Sequence, residues 1–302
     1  MKSQLTCFIF LICFSLGFSQ NGKILSKELI NLSETSIWSK LTTNNELKPD
    51  YKHLNALNFY AITYESDGHK VNGIITEPKK EGTYPVVIFN RGGNRDYGSL
   101  TIATIIFSVS KLAEQGYVII GSNYRTQDEF GGADLNDVLN LFETIKKIDK
   151  ADESKVGMFG WSRGGMMTYL ALKASDKIQT AIIGNGPSNL FAEISFRPKM
   201  ETLVYAQCIP NYAANKDTEL KKRSAIFWAD KLNKDSSLLI LSGTKDKRVD
   251  SKQANIMAEE LERINYDFKL MTFETDHGFR DKRDELYATT IAWFNKELKH
   301  KK

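Results

Sequence analysis

The feature that most constrains this chain is an alternation, sustained from residue 85 to residue 298, of short apolar runs with longer amphipathic stretches. Pro85 to Phe89, Tyr117 to Gly121, Val156 to Phe159, Ala181 to Ile183 and Leu238 to Leu241 are strand-length apolar runs, and Lys269 to Phe273 reads as the last strand. Strands that are apolar on both faces need cover on both faces. The segments between supply it. Ser108 to Gln115 is helical up to Gly116, Asp134 to Ile148 sets Leu135, Val138, Leu139, Leu141, Phe142 and Ile145 on one broad side, and a helix runs from Ser162 to about Lys173. Ser251 to Ile264 and Asp284 to Leu298 have the same spacing. The pattern predicts an α/β fold with a mostly parallel central sheet flanked by helices.

Ahead of this rhythm, Phe59 to Tyr64 and Val71 to Thr76 alternate in the strand sense around Ser66-Asp67-Gly68, which predicts a hairpin. Residues 20–58 carry no motif and read as an N-terminal helical or linker segment, so the main domain is expected to span 59–300. The alternation breaks between Pro187 and about Asn233, where a helical insertion is expected before the strand Leu238 to Leu241. Its aromatic residues, Phe191, Phe196 and Tyr205 among them, either wall a substrate pocket or pack a satellite of the core.

The first nineteen residues have a different character. Lys2, the apolar run from Leu5 to Phe18 and the small residues of Gly17-Phe18-Ser19 form the three parts of a cleaved secretory signal. The run is short for a membrane span, so no stable membrane anchor is expected. Ile12 before Cys13 argues against a lipid-bearing cysteine. The protein is expected to be exported, to the periplasm or beyond the cell. Once Cys7 and Cys13 leave with the signal, only Cys208 remains, so no internal disulfide and no cysteine zinc site can form. A net charge of +4 without a long basic run gives no footprint for nucleic acid. Nothing in the sequence implies a metal or cofactor, and the oligomeric state is not legible.

The chemistry centres on Gly160-Trp161-Ser162-Arg163-Gly164, a G-x-S-x-G placed after one predicted strand and at the start of a helix. That is the setting of a nucleophile elbow. Ser162 needs a base to take its proton. His69 lies in the hairpin turn, His53 before the hairpin and His300 in the charged tail, which leaves His277 on the loop after the last strand. The acid is expected between them in chain order; Asp246 follows a buried strand, with Asp250 and Asp276 as rivals. The amide of Arg163 can donate to an oxyanion. A second donor is expected from the loop Asn90-Arg91-Gly92-Gly93-Asn94, either a backbone amide near Arg91–Gly92 or the Arg91 side chain. Arg125 and Arg163 can bind a substrate carboxylate or pair with surface acids.

These segments together resemble the catalytic domain of the prolyl oligopeptidase family of serine peptidases, from about Phe59 to Leu298. The resemblance is carried by Asn123-Tyr124-Arg125, by Gly131-Gly132-Ala133-Asp134 leading into Asn136-Asp137-Val138, and by the elbow Gly160 to Gly165. Gly243 to Val249 and Asp276-His277-Gly278-Phe279 complete it. It implies an α/β-hydrolase fold and hydrolysis of short peptides through an acyl-enzyme, by Ser162, Asp246 and His277. Two departures stand out. Only some forty residues separate the signal from the hairpin, too few for the β-propeller common in that family, and Arg91 stands where many members carry an aromatic hydroxyl. The expected substrate is therefore a small peptide or peptide-like amide, with ester cleavage on the same triad as the alternative.

Overall fold

A computed structural model describes residues 20–299; the expected signal, 1–19, and His300 lie outside the described residues. Eleven strands occur among those described. In chain order they are β1 (Ile24–Leu29), β2 (Thr42–Thr43), β3 (Glu46–Leu47), β4 (Leu57–Ser66), β5 (His69–Pro78), β6 (Tyr84–Asn90), β7 (Val118–Ser122), β8 (Ala151–Trp161), β9 (Thr180–Gly184), β10 (Ser237–Gly243) and β11 (Phe268–Phe273). Nine make one sheet in the order β1-β4-β5-β7-β6-β8-β9-β10-β11, while β2 and β3 pair separately. From β7 to β11 every pairing is parallel, and β1, β4 and β5 join in the antiparallel sense.

The uninterrupted apolar runs follow from this arrangement. Successive residues of a strand point to opposite faces, and both faces are covered. Val86, Ile88, Ile120, Met158, Ile183 and Ile240 enter one core, whereas Val87, Phe89, Ile119, Phe159, Ile182 and Leu239 enter the other. Because the strands from β6 onward run the same way, their C-terminal ends share one rim of the sheet. The chain leaves β6 toward β7 on one side and later β8 on the other, so a crevice opens at that rim, where ligands of such sheets gather.

The hairpin expected around Ser66-Asp67-Gly68 is the β4–β5 turn, with Ser66 opposite His69 and positive φ at both Asp67 (50°) and Gly68 (79°). A two-residue turn of that hand matches the strand twist. Between Pro187 and β10 the chain is helical in short pieces, among them Leu190–Phe196, Glu201–Tyr205 and Tyr212–Lys222, as expected for the insertion. Two expectations need correction. The segment 20–58 carries short helical pieces as expected (Leu32–Glu34, Trp38–Leu41 and Pro49–Ala56), but it is not a linker ahead of the domain: β1 pairs with β4 and extends the sheet. The helix expected over 134–148 is two, Leu135–Leu139 and Leu141–Ile145, meeting at Asn140, whose amide nitrogen donates to Ser66 Oγ at 2.9 Å.

Of the two roles open to Arg125, the structure shows pairing with acids of the protein. Its guanidinium lies on Asp137, with contacts of 2.7 Å to Oδ1 and 3.1 Å to Oδ2, and reaches Asp67 at 3.0 Å in the hairpin turn. Asp137 is fully buried and also accepts from Ser66 Oγ at 2.6 Å and from the Arg125 amide at 2.7 Å. The network bolts the antiparallel hairpin to the parallel part of the sheet. Asp137→Ala would strand a buried guanidinium, so a loss of about 3–5 kcal/mol is expected; a urea titration against the parent chain measures it.

Candidate active site

The residue after β8 is Ser162, with φ 56° and ψ −126°, and the helix Arg163–Ala174 begins at once. A non-glycine residue on that side of the Ramachandran map is strained and needs its surroundings to hold it. Ser162 N donates to Gly184 O at 2.8 Å. The flanking glycines let the turn close. A Cβ on Gly164 would overlap the Asn90 carbonyl, and one on Gly160 would run into Gly164 O and the Thr168 hydroxyl. Thr168 Oγ1 fastens the same crossing, donating to Gly164 O at 2.8 Å and accepting from Asn90 Nδ2 at 2.9 Å.

Asp246 and His277 meet across the loops that follow β10 and β11. His277 Nδ1 is 2.6 Å from Asp246 Oδ2, and Asp246 Oδ1 accepts from the amides of Arg248 (2.7 Å) and Val249 (3.1 Å). The carboxylate is thereby fixed on both oxygens. The His277 carbonyl accepts from Trp161 Nε1 at 3.1 Å and from Asn185 Nδ2 at 3.0 Å, so the histidine loop is tied to the residue just before Ser162. Asn185 Oδ1 in turn accepts from Gly243 N at 2.8 Å, which ties the Asp246 loop to the same side chain. Neither Trp161 nor Asn185 was anticipated as a positioning residue. The other candidates stay apart: His53 Nε2 contacts Ser110 Oγ at 2.8 Å, and Asp276 Oδ1 accepts from Gly278 N at 2.9 Å.

The loop after β6 lies against the serine. A Cβ on Gly92 would stand 3.1 Å from Ser162 Cβ and 3.8 Å from its Oγ, so main chain here approaches the serine side chain closely. The Arg91 side chain does not. It is buried and gives its donors to carbonyls, with Nη2 on Asn123 O (2.8 Å) and Arg95 O (2.9 Å) and Nη1 on Gly92 O (3.0 Å). Its guanidinium also sits over the Tyr124 ring, 4.8 Å from the centroid. The idea of Arg91 as a side-chain donor to substrate is therefore corrected: the residue shapes the loop.

The Arg163 guanidinium is likewise internal. Nη1 bonds Asp128 Oδ2 at 2.5 Å and Gly93 O at 3.1 Å, and Nη2 bonds Asp134 Oδ2. Two buried carboxylates share one cation. Burial raises Asp128, but Arg163 and the amides of Arg95 and Phe130 outweigh it and hold the group below its ordinary value. Asp134 stays above its ordinary value, through burial first and the neighbouring Asp128 charge, against the pull of Arg163.

Ser162 opens into a cavity of about 270 Å³ between the sheet rim and the insertion, lined by Gly93, Phe130, Pro187, Met200, Val204, Tyr205 and Val249, with Glu193, Arg197 and Arg248 as its charged side chains beside Arg163. Of the three aromatics expected, only Tyr205 lines this cavity. Phe191 packs edge-on against Phe227 at 5.8 Å, and Phe196 is 41% exposed. Glu193 was not anticipated, because a glutamate on a helix reads as a surface residue. Burial pushes its carboxyl up to about 7, helped by the charges of Asp246 and Asp250 and opposed by Arg197 and Gln253. Among the described residues no cluster of three His, Cys, Asp or Glu is set to hold a metal ion.

Residues 104–301 match the prolyl oligopeptidase family, about two thirds of the chain. The chain belongs to that family. It is a peptidase-like serine hydrolase with an α/β-hydrolase fold. Among curated members it is 24% identical over 245 residues to the uncharacterized peptidase YtmA of Bacillus subtilis (strain 168), covering 78% of this chain and 93% of that one. It is 28% identical over 257 residues to the uncharacterized peptidase YuxL of the same organism, covering 77% of this chain and 38% of that one. Among solved structures it is similar to the acylaminoacyl peptidase of Pyrococcus horikoshii, with a TM-score of 0.69, 22% identity and coverage of 83% and 44%. An acylaminoacyl peptidase in complex with Z-Gly-Gly-Phe-chloromethyl ketone gives a TM-score of 0.67 at 23% identity, with coverage of 80% and 42%. The chain thus spans less than half the length of those two structures.

Two outcomes are expected from this geometry. Asn185→Ala should remove both clamps on the acid and histidine loops and cost about 1–3 kcal/mol; thermal melting reads the loss, and slower labelling of Ser162 by a fluorophosphonate reads the loosened site. With the Glu193 carboxyl pushed up to about 7 in the fold from an ordinary 4.5, the folded state holds between those values a proton that the unfolded chain has released. Stability should therefore fall as pH rises through that window, by on the order of 3 kcal/mol at most. Urea midpoints at pH 5 and pH 8 should show that fall, and Glu193→Gln should flatten it.

Proposed function

We propose that this protein hydrolyses short peptides or peptide-like amides through an acyl-enzyme, with Ser162 as nucleophile, His277 as general base and acid, and Asp246 as the group that orients and stabilises the imidazole. The observation that carries the reading is the 2.6 Å contact between His277 Nδ1 and Asp246 Oδ2, on loops pinned beside the strained serine. With Nδ1 bonded to the carboxylate, Nε2 is the nitrogen left to take the serine proton.

In this reading Ser162 Oγ attacks the scissile carbonyl as His277 Nε2 accepts its proton. The C–N bond then breaks, and the imidazolium returns the proton to the departing amine. Water, deprotonated by the same nitrogen, next attacks the acyl ester and releases the acid, leaving Ser162 protonated as before. The Arg163 amide, at the free end of a twelve-residue helix, supports the developing oxyanion, and main chain at Gly92 is placed to assist. The pocket is the cavity beside Ser162, with Tyr205 on its wall. A peptide as the ligand class is supported by the peptide reagent held in a similar structure. We also propose export, on the positive start, apolar run and small residues of 1–19; among the described residues no helix is long and apolar enough to cross a membrane.

Ser162→Ala should abolish both turnover and fluorophosphonate labelling. Asp246→Asn should lower kcat by about 10³–10⁴-fold with the site still assembled. The deciding comparison presents one acyl group as nitroanilide and as nitrophenyl ester. Serine-dependent anilide turnover supports the peptidase reading, and turnover confined to the ester refutes it in favour of a carboxylesterase. N-terminal sequencing of the protein from the host should begin near Gln20; an intact Met1 would refute cleavage.

A further inference from the structure

The cavity beside Ser162 holds two buried polar groups that the proposed chemistry does not use. Glu193 is 2% exposed. Among the described residues its carboxyl accepts one side-chain hydrogen bond, from Gln253 Nε2 at 3.2 Å, and stands 3.6 Å from Arg197 Nη1. A carboxylate has sites for about four donors. Tyr205, fully buried and lining the same cavity, has a hydroxyl with no hydrogen-bond partner among the described residues. A buried polar group without its partners is costly, and a ligand that supplies them gains correspondingly. Phe130, Met200 and Val204 give the cavity apolar walls. Apolar walls around an acidic group suit a side chain with a methylene stem and a cationic head.

We propose that the cavity selects substrates whose residue on the acyl side of the scissile bond carries a cationic amine or guanidinium, received by Glu193 and Tyr205. Glu193 is then a specificity-determining residue. This rests on Ser162 being the nucleophile. Arg197 is the group such a substrate displaces; its Nη1 stands 3.6 Å from Glu193, beyond hydrogen-bond distance, and donates instead to the Arg248 carbonyl at 3.1 Å. Arg248 lines the cavity from an exposed position, with Nη1 donating to the exposed Tyr97 hydroxyl at 3.2 Å. These two arginines make an acidic acyl residue the rival substrate.

The test compares lysyl, norleucyl and glutamyl acyl groups, each as nitroanilide and as nitrophenyl ester, in the parent enzyme, Glu193→Gln and Tyr205→Phe. The parent should prefer lysyl over norleucyl by about 100-fold in kcat/KM, and Glu193→Gln should cut that ratio at least tenfold, since a site built for a polar group discriminates strongly. Tyr205→Phe should lower it less. A norleucyl or glutamyl preference in the parent, or an unchanged ratio in Glu193→Gln, overturns the inference. Esters report on the cavity even where anilides are not cut, so loss of the peptidase reading would leave this result standing. Fluorophosphonate labelling verifies that each variant keeps its site. Should Glu193→Gln fail to fold, Arg197→Gln decides: removing the competing guanidinium should raise the lysyl-to-norleucyl ratio, and an unchanged or lower ratio overturns the proposal.

Discussion

The contact on which the site depends is the crossing of the helix Arg163–Ala174 over the end of β6, where the backbone of Gly164 touches the Asn90 carbonyl with no space for a methyl group between them. That approach holds Ser162 in its strained conformation and brings Gly92 against it. It also points Arg163, the first residue of the helix, into the pair of carboxylates from the loop after β7. Three loops are thus located by one close packing of main chain on main chain. Interiors this dense transmit displacement, so a change at the crossing reaches the serine, the bend beside it and the buried ion cluster together.

The acid and histidine loops are located by a second device, made of side chains. Asn185, at the end of β9, bonds the backbone of both. Trp161 adds an indole contact to the histidine loop and packs edge-on against Phe279 at 5.4 Å. The site is rigid where atoms must meet and lies beside short helical pieces where substrates would enter. In the function proposed above, chemistry falls to the first part and selectivity in part to the second.

Much of this was legible in the sequence, and the rest was hidden for identifiable reasons. The parallel strands announced themselves because burial on both faces leaves apolar runs, and Ser162, Asp246 and His277 because each follows such a run in a fixed order. The roles of Arg91 and Arg125 stayed open because their partners, Asn123 for the one and Asp137 with Asp67 for the other, are brought to them only by the fold; an arginine's charge says nothing about which way its side chain turns. Strand β1 was missed because all but its first residue are exposed, leaving no alternation to read. Glu193 was hidden because burial of a helical glutamate is decided by the neighbouring helices, and the charged cluster of Asp128, Asp134 and Arg163 because tertiary contact alone assembles it.

Strand β1 has a bearing on the lifetime of the molecule. It is the outermost ribbon of the sheet, its Ser26, Lys27 and Glu28 are exposed, and its register with β4 slips between Ile24 and Ser26. Charge and irregularity at a sheet margin discourage neighbouring molecules from adding strands there. The ten-residue β4 behind it has no such protection. Trimming of the chain beyond Leu29 by another enzyme would therefore bare a long, regular ladder of unpaired amides and carbonyls, turning a guarded margin into a nucleus for aggregation.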